Sequence, residues 1–239
     1  MSHFFAQMEN GTVRLSVEEM YHAERSLRLK EGEMITLAVD GCKYASEFST
    51  ANRFILKERL PDPEPGIDVT LYQGIPKGDK METIVQAATQ GGVSRIVPVS
   101  FSRCVSQWDP RSTEKKTARL NKIALEAAKQ SGRCRVPEIC APVCPSDIPT
   151  DRFDAVLMPW EESARRGQRG LNAWWHDRKT KPRTLALIIG PEGGIDDTEA
   201  QMFIARGAVP VSLGPRIFRT ETAGFAALTA LMLLSGDLE

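Results

Sequence analysis

The chain has 239 residues, with 31 basic and 31 acidic side chains and a formal charge of zero. Its 41% hydrophobic and 26% charged content excludes a disordered, collagenous or coiled-coil protein. The longest apolar run, Ala223 to Leu234, falls short of the roughly 20 residues a bilayer span requires. The N-terminus has no charged head followed by an apolar run, so neither a signal peptide nor a membrane partner is expected and the cytoplasm is the default location.

Taken in order, residues 1 to about 57 read as strands around one short helix. Ser16 to Leu29 is expected to be that helix, carrying Arg25, Arg28 and Lys30. Met34 to Val39 alternates with Ile35, Leu37 and Val39 on one face. Asp40-Gly41 is a hairpin-turn signal, and Lys43 to Phe48 returns in period two. Phe54-Ile55-Leu56 reads as a further short strand. The sum is a small β-barrel-like module. Glu58 to Gly66 then packs three prolines, a glycine and several acids into nine residues. Such a stretch fits neither a helix interior nor a central strand, so a boundary is placed there, with domains at 1–66 and 67–239.

After the boundary the rhythm becomes alternating strand and helix. Strands are expected at Val69 to Gln73, Val93 to Ser100, Asp154 to Met158, Thr184 to Ile189 and Val209 to Leu213. Helices are expected from Lys77-Gly78-Asp79 through Thr89, and over Ser112 to Ser131, Asp197 to Arg206 and Thr220 to Leu234. Thr184 to Ile189 is almost wholly apolar, as in a central parallel strand covered on both faces. The alternation predicts an α/β domain with a mostly parallel sheet, whose ligands sit at the carboxyl ends of the strands.

The titratable residues narrow the chemistry. Five cysteines (Cys42, Cys104, Cys134, Cys140, Cys144) and three histidines (His3, His22, His176) lack the spacing of a zinc site or the context of an activated nucleophile, so no metal is expected. Between Arg111 and Arg135 eight basic residues face two acidic ones, a local charge of +6. Phosphate binding follows local patches rather than net charge, although a charge run by itself reads first as a solvated helix face. Trp160, Trp174 and Trp175 could stack on bases, but core packing is the simpler expectation.

Two loops at strand ends are expected to carry the function. Gly190-Pro191-Glu192-Gly193-Gly194 follows the buried strand directly, and its three glycines free the backbone to turn and expose N–H groups. It is neither a dinucleotide fingerprint nor a Walker loop. Asp196-Asp197-Thr198-Glu199 opens the next helix and neutralises its N-terminus, so a neutral or cationic ligand suits the turn better than a phosphate. The second loop, Leu213 to Ala223, crowds Arg216, Arg219 and Glu221 between apolar elements. It can be read as a site or as an Arg219–Glu221 salt bridge with Thr220 capping the helix.

Both loops together resemble the RsmE family, bacterial 16S rRNA uracil-N3 methyltransferases of the SPOUT class. GPEGG before an acid-capped helix and LG-x-RI-x-RTETA opening the last helix carry the likeness. Lys77-Gly-Asp-Lys-Met-Glu82, Ser102-Arg-Cys-Val105, Glu126 to Arg133 with Pro137, Arg28-Leu29-Lys30 and Gly236-Asp237-Leu238 extend it over nearly the whole chain. The sequence departs from the family at Ile195-Asp196, where Phe-Ser is usual, at Phe218 for Leu, at His3 for Arg and at Ser26 for Val.

The resemblance implies a SPOUT-type α/β domain with a C-terminal trefoil knot, an N-terminal PUA-like β-barrel for RNA, and a homodimer. It implies S-adenosylmethionine as cofactor and 16S rRNA, on the small ribosomal subunit, as substrate. Cofactor contacts are then expected from Leu157, Met158, Gly190, Glu192, Gly194, Leu213, Gly214, Ile217 and Thr222. Arg219 is expected to stabilise the developing uracil anion, with Glu221 either the base or the group that orients Arg219. Candidate RNA contacts are Arg25, Arg28, Lys30, Lys77, Lys80, Arg103 and Arg133. Guanine-N1 or ribose 2′-O methylation on the same fold, and a non-catalytic ribosome-assembly role, are the alternatives. A nucleotide-binding oxidoreductase lacks the required glycine fingerprint.

Overall fold

The computed structural model describes residues 1–162, 167 and 169–238. The chain clusters into two units, Met1–Glu64 with Glu126–Val136, and Pro65–Leu125 with Pro137 onward. The division after Glu64 lies inside the proline-rich stretch, and residues 126–136 also belong to the first unit.

In the first unit, β1 (His3–Glu9), β2 (Thr12–Leu15), β3 (Met34–Val39), β4 (Cys42–Glu47) and the two-residue β5 (Glu58–Arg59) form one sheet in the order β2-β1-β3-β4-β5. The sheet is mixed: β1 runs parallel to β3, and the other pairs are antiparallel. Both hairpin turns, Asn10-Gly11 and Asp40-Gly41, place their central residues at positive φ, the conformation for which Asn-Gly and Asp-Gly are selected. Phe4, Ile35, Leu37, Phe48 and Phe54 fill the core.

Two expectations are corrected in this unit. The Ser16–Leu29 helix is only α1 (Val17–Tyr21), capped by Ser16, followed by a π-helical turn at His22–Ser26; Arg28 then takes a left-handed φ of 55°, which ends any helix. Phe54-Ile55-Leu56 is not a strand. Phe54 makes an isolated bridge to Val13 and Ile55 is 80% exposed.

In the second unit, β6 (Asp68–Gly74), β7 (Arg95–Val99), β8 (Glu138–Ile139), β9 (Ala155–Pro159), β10 (Thr184–Ile189) and β11 (Val209–Val211) form a sheet in the order β11-β9-β10-β6-β7-β8. Every pairing in it is parallel, the α/β arrangement that the alternating pattern predicts. Its helices include α2 (Lys80–Gln90), α3 (Pro110–Ser131, entering the first unit at Glu126), α4 (Leu171–His176), α5 (Asp197–Ala205) and α6 (Thr220–Ser235). β10 lies between β9 and β6 with Leu185 to Ile189 buried, which explains its unbroken apolar run. Trp160, Trp174 and Trp175 are buried. Among the described residues no helix is long and apolar enough to cross a membrane, and no cluster of His, Cys, Asp and Glu could hold a metal ion.

Candidate active site

The parallel sheet sends the chain ends of β9, β10 and β11 to one side. Pro159 to Glu161, Gly190 to Gly194 and Ser212 to Thr220 follow those strands, and all line a single cavity of about 540 Å³. That volume falls within the range typical of small-molecule sites. Lys80 from α2 and Glu221 and Ala223 from α6 complete the wall.

The first loop is shaped by backbone demands. Gly194 sits at φ +71°, and its N–H donates to the Pro191 carbonyl at 2.9 Å. The loop also presses on the end of β6: a Cβ on Gly74 would lie 2.5 Å from the Pro191 nitrogen. Only glycine tolerates that approach. Beyond the loop, Asp196 caps α5 by accepting from Thr198 N–H (2.9 Å), with Glu199 reaching back to the Asp196 N–H. Arg103 donates to Asp196 Oδ2 at 2.9 Å and to the Gly193 carbonyl at 3.4 Å. The Asp196 carboxyl is held below its ordinary pKa, first by the Thr198 N–H, with the Arg103 charge also contributing.

A buried polar bridge joins the two loops. Thr220 donates its hydroxyl proton to the Gly190 carbonyl at 2.6 Å and accepts from Gln73 Nε2 at 2.9 Å. Gln73 is fully buried at the end of β6, and its Nε2 also donates to Gly74 O at 3.1 Å. Thr220 is therefore not the N-cap of α6. Arg219 occupies that position and makes no side-chain capping bond.

The charged groups also pair differently from the simplest reading. Glu221 does not meet Arg219; its Oε2 lies 3.5 Å from Lys80 Nζ and makes no hydrogen bond. Lys80 Nζ donates to Glu192 Oε1 at 2.9 Å, and the Lys77 N–H donates to the same oxygen at 3.1 Å. One ammonium thus joins a carboxylate from each loop. The hydrogen bond to Glu192 raises the Lys80 pKa. Burial pushes the Glu192 carboxyl up, but the Lys80 hydrogen bond and the backbone N–H groups of Glu192 and Lys77 outweigh it, leaving its pKa below the ordinary value. Arg219 and Arg216 are exposed and have no ion-pair partner among the described residues.

The expected site residues are distributed as follows. Gly190, Glu192, Gly194, Leu213, Gly214, Ile217, Arg219 and Glu221 share the cavity. Leu157 and Met158 are fully buried within β9; the three residues after them reach the cavity instead. Thr222 lies outside the lining and bonds the Arg219 carbonyl at 3.1 Å. Arg25, Arg28, Lys30 and Lys77 are accessible surface residues. Lys80 is committed to the two loop carboxylates, and Arg103 to the first loop. Arg133 is buried, with its Nη2 2.6 Å from Glu64 Oε2, so it offers no accessible guanidinium to RNA. Gln73, Lys80 in its bridging role, Thr220 and the Trp160-Glu161 wall escape sequence reading. Their partners lie in distant segments; only the oddity of a glutamine closing a buried strand could have signalled Gln73.

Comparison with known proteins identifies the family. Residues 63–232 match the family model described as RNA methyltransferase domain. The chain is 32% identical to ribosomal RNA small subunit methyltransferase E of Bacillus subtilis, over 96% of this chain and 94% of the relative. The same-named protein of Aquifex aeolicus is 30% identical, over 96% and 98%. Ribosomal RNA small subunit methyltransferase E from Neisseria gonorrhoeae, solved bound to S-adenosyl methionine, superposes with a TM-score of 0.81 at 30% identity, covering 98% of each chain. A methyltransferase from Legionella pneumophila solved with its cofactor SAM gives 0.82 at 29% identity, covering 98% of this chain and 97% of that one. The chain therefore belongs to the ribosomal RNA small subunit methyltransferase E family of RNA methyltransferases.

Proposed function

We propose that this protein transfers the methyl group of S-adenosylmethionine to N3 of a uridine in 16S ribosomal RNA, on the small ribosomal subunit. The observation that carries this reading is that both sequence-distinctive loops line one cavity of about 540 Å³. Family membership supports the reaction class, and the RTETA and QSGR segments favour uracil N3 over guanine N1 or ribose. When bound, S-adenosylmethionine supplies a methyl group on a cationic sulfur, already activated for transfer.

The residues present suit such a donor. The wall is charge-balanced, with Glu161, Glu192 and Glu221 set against Lys80, Arg216 and Arg219, which suits a donor carrying both a sulfonium and a carboxylate. Gly190, Gly194, Leu213, Gly214 and Ile217 offer backbone at close range. Holding donor and base in line can supply roughly 7–11 kcal/mol of the barrier. Arg219, whose guanidinium is unpaired, stabilises negative charge on the uracil oxygens as N3 loses its proton. Glu221 is proposed as the base for the N3 proton; its Oε2 is turned inward, 3.5 Å from Lys80 Nζ, which keeps the carboxylate in place.

Residues 1–66 are proposed as the PUA-like RNA-binding module, with Arg25, Arg28 and Lys30 as contacts and Lys77 beside the cavity. Residues 67–239 form the SPOUT domain, with its knot built by the segments after β10 and β11. A homodimer is supported by the apolar face that α6 leaves open, with Phe225 42% and Leu233 57% exposed. Such a face calls for a partner. The protein acts in the cytoplasm.

The test is incubation with methyl-labelled donor and small subunits lacking the modification, followed by nucleoside analysis. The reading predicts label in 3-methyluridine. Label in a methylated guanosine or a 2′-O-methyl nucleoside would support the alternatives, and cofactor binding without transfer to any RNA would overturn the assignment.

A further inference from the structure

The first half of α3 carries a row of basic residues that do not line the cavity. Arg111, Lys115, Arg119 and Lys122 are all exposed. Their spacing of four, four and three places them on one side of the helix, along about 16 Å of its axis. Leu120 and Ala124, on the opposite side, are buried. The one acid between Arg111 and Lys122 is Glu114, and it lies to the side of this row.

A merely solvated helix face normally mixes signs and pairs them at i,i+4. Here Arg111, Lys115 and Lys122 have no ion-pair partner among the described residues. Lys116 points elsewhere, resting over the Trp108 ring at 5.3 Å. Arg119 alone is paired, donating to Glu82 Oε2 at 2.9 Å. That pair ties the row to α2 at a point two residues from Lys80, which bridges the two cavity loops. The row thus connects directly, through one helix turn, to the proposed site of methyl transfer.

We propose that Arg111, Lys115 and Lys122, with Arg119 anchoring the row to α2, form a docking track for the phosphate backbone of the RNA that presents its base to the cavity. The inference rests on the proposed RNA substrate. The track reads no sequence, since phosphate contacts position a nucleic acid rather than identify it.

The test measures affinity for a full-length 16S rRNA transcript against salt concentration, for the whole protein and for the triple variant Arg111→Gln, Lys115→Gln, Lys122→Gln. Each phosphate contact contributes about 0.7 to the log–log salt slope on single strands. The triple variant is therefore expected to lower the slope by about 2 and weaken binding roughly tenfold or more, with S-adenosylmethionine affinity and melting temperature unchanged. A control, Lys179→Gln with Arg183→Gln, removes exposed charge elsewhere in the same unit and is expected to leave the slope within about half a contact. An unchanged slope in the triple variant, or an equal fall per charge in the control, overturns the track. The readout is binding, so it is independent of transfer: a protein that binds RNA along α3 but methylates nothing keeps the track and loses the proposed function.

Discussion

Each unit contains a carboxylate held by a cation, and the two are built in opposite ways. In the first, Glu64 accepts from Arg133 Nη2 at 2.6 Å, from Arg133 Nε at 3.2 Å, and from the backbone N–H groups of Cys134 (2.7 Å) and Arg135 (3.0 Å). Both side chains are 6% exposed. Nothing is left for a ligand to take. In the second, Lys80, Glu192 and Glu221 are 36%, 26% and 18% exposed and line a cavity. Removing one partner of the dry pair strands a buried charge; a partly exposed pair at a cavity wall can be engaged by a ligand. The contrast reassigns two motif cations, Arg133 to architecture and Lys80 to the site.

The largest expected effect is at the saturated pair. Glu64→Ala strands a buried guanidinium and should cost about 3–5 kcal/mol of stability, read by denaturant unfolding; a loss under about 1 kcal/mol, the scale of exposed pairs, would erase the distinction. Next, Arg219→Ala should reduce methyl transfer by about 10²–10³-fold with donor affinity within several-fold, measured by single-turnover labelling and calorimetry. Equal loss of both would move Arg219 into donor binding or folding. Thr220→Val removes the bridge between loops, taking the hydroxyl donor from the Gly190 carbonyl and one of the two acceptors of Gln73 Nε2, at about 1–3 kcal/mol. It should weaken donor binding, while Thr220→Ser retains it.

The smallest effect is at the open cluster and is seen in pH. The folded Glu192 carboxyl lies below its ordinary value. Its contribution is therefore present above the usual carboxylate range near 4.3 and is lost as pH falls through the lowered value. Donor affinity should decline on that acid limb in the unmodified protein. In Glu192→Gln the limb should flatten, and an identical limb would mean another group controls it.

Legibility in the sequence followed the range of the interaction. Local rules located β3, β6, β10, α2 and α6 within a residue or two, because periodicity and turn chemistry act over a few positions. The two loops stood out for their glycine and proline spacing. The two-residue β8 and the six-residue α4 are too short for a period to register. The π-helical turn at His22–Ser26 interrupts a stretch whose composition is helical. Least legible were the long-range polar contacts: Glu64 and Arg133 are 69 residues apart, and Gln73 and Thr220 are 147 apart. Gly74 carries no local signal either, because the contact that requires glycine there comes from Pro191. The site's lining could be guessed; what holds it rigid could not.

The most direct measurement is a crystal structure of this protein with S-adenosylmethionine. The account predicts the donor in the cavity between Gly190–Gly194 and Leu213–Ile217, its methyl directed toward the space between Arg219 and Glu221. A donor bound elsewhere, or one whose methyl faces away from those two side chains, would contradict it.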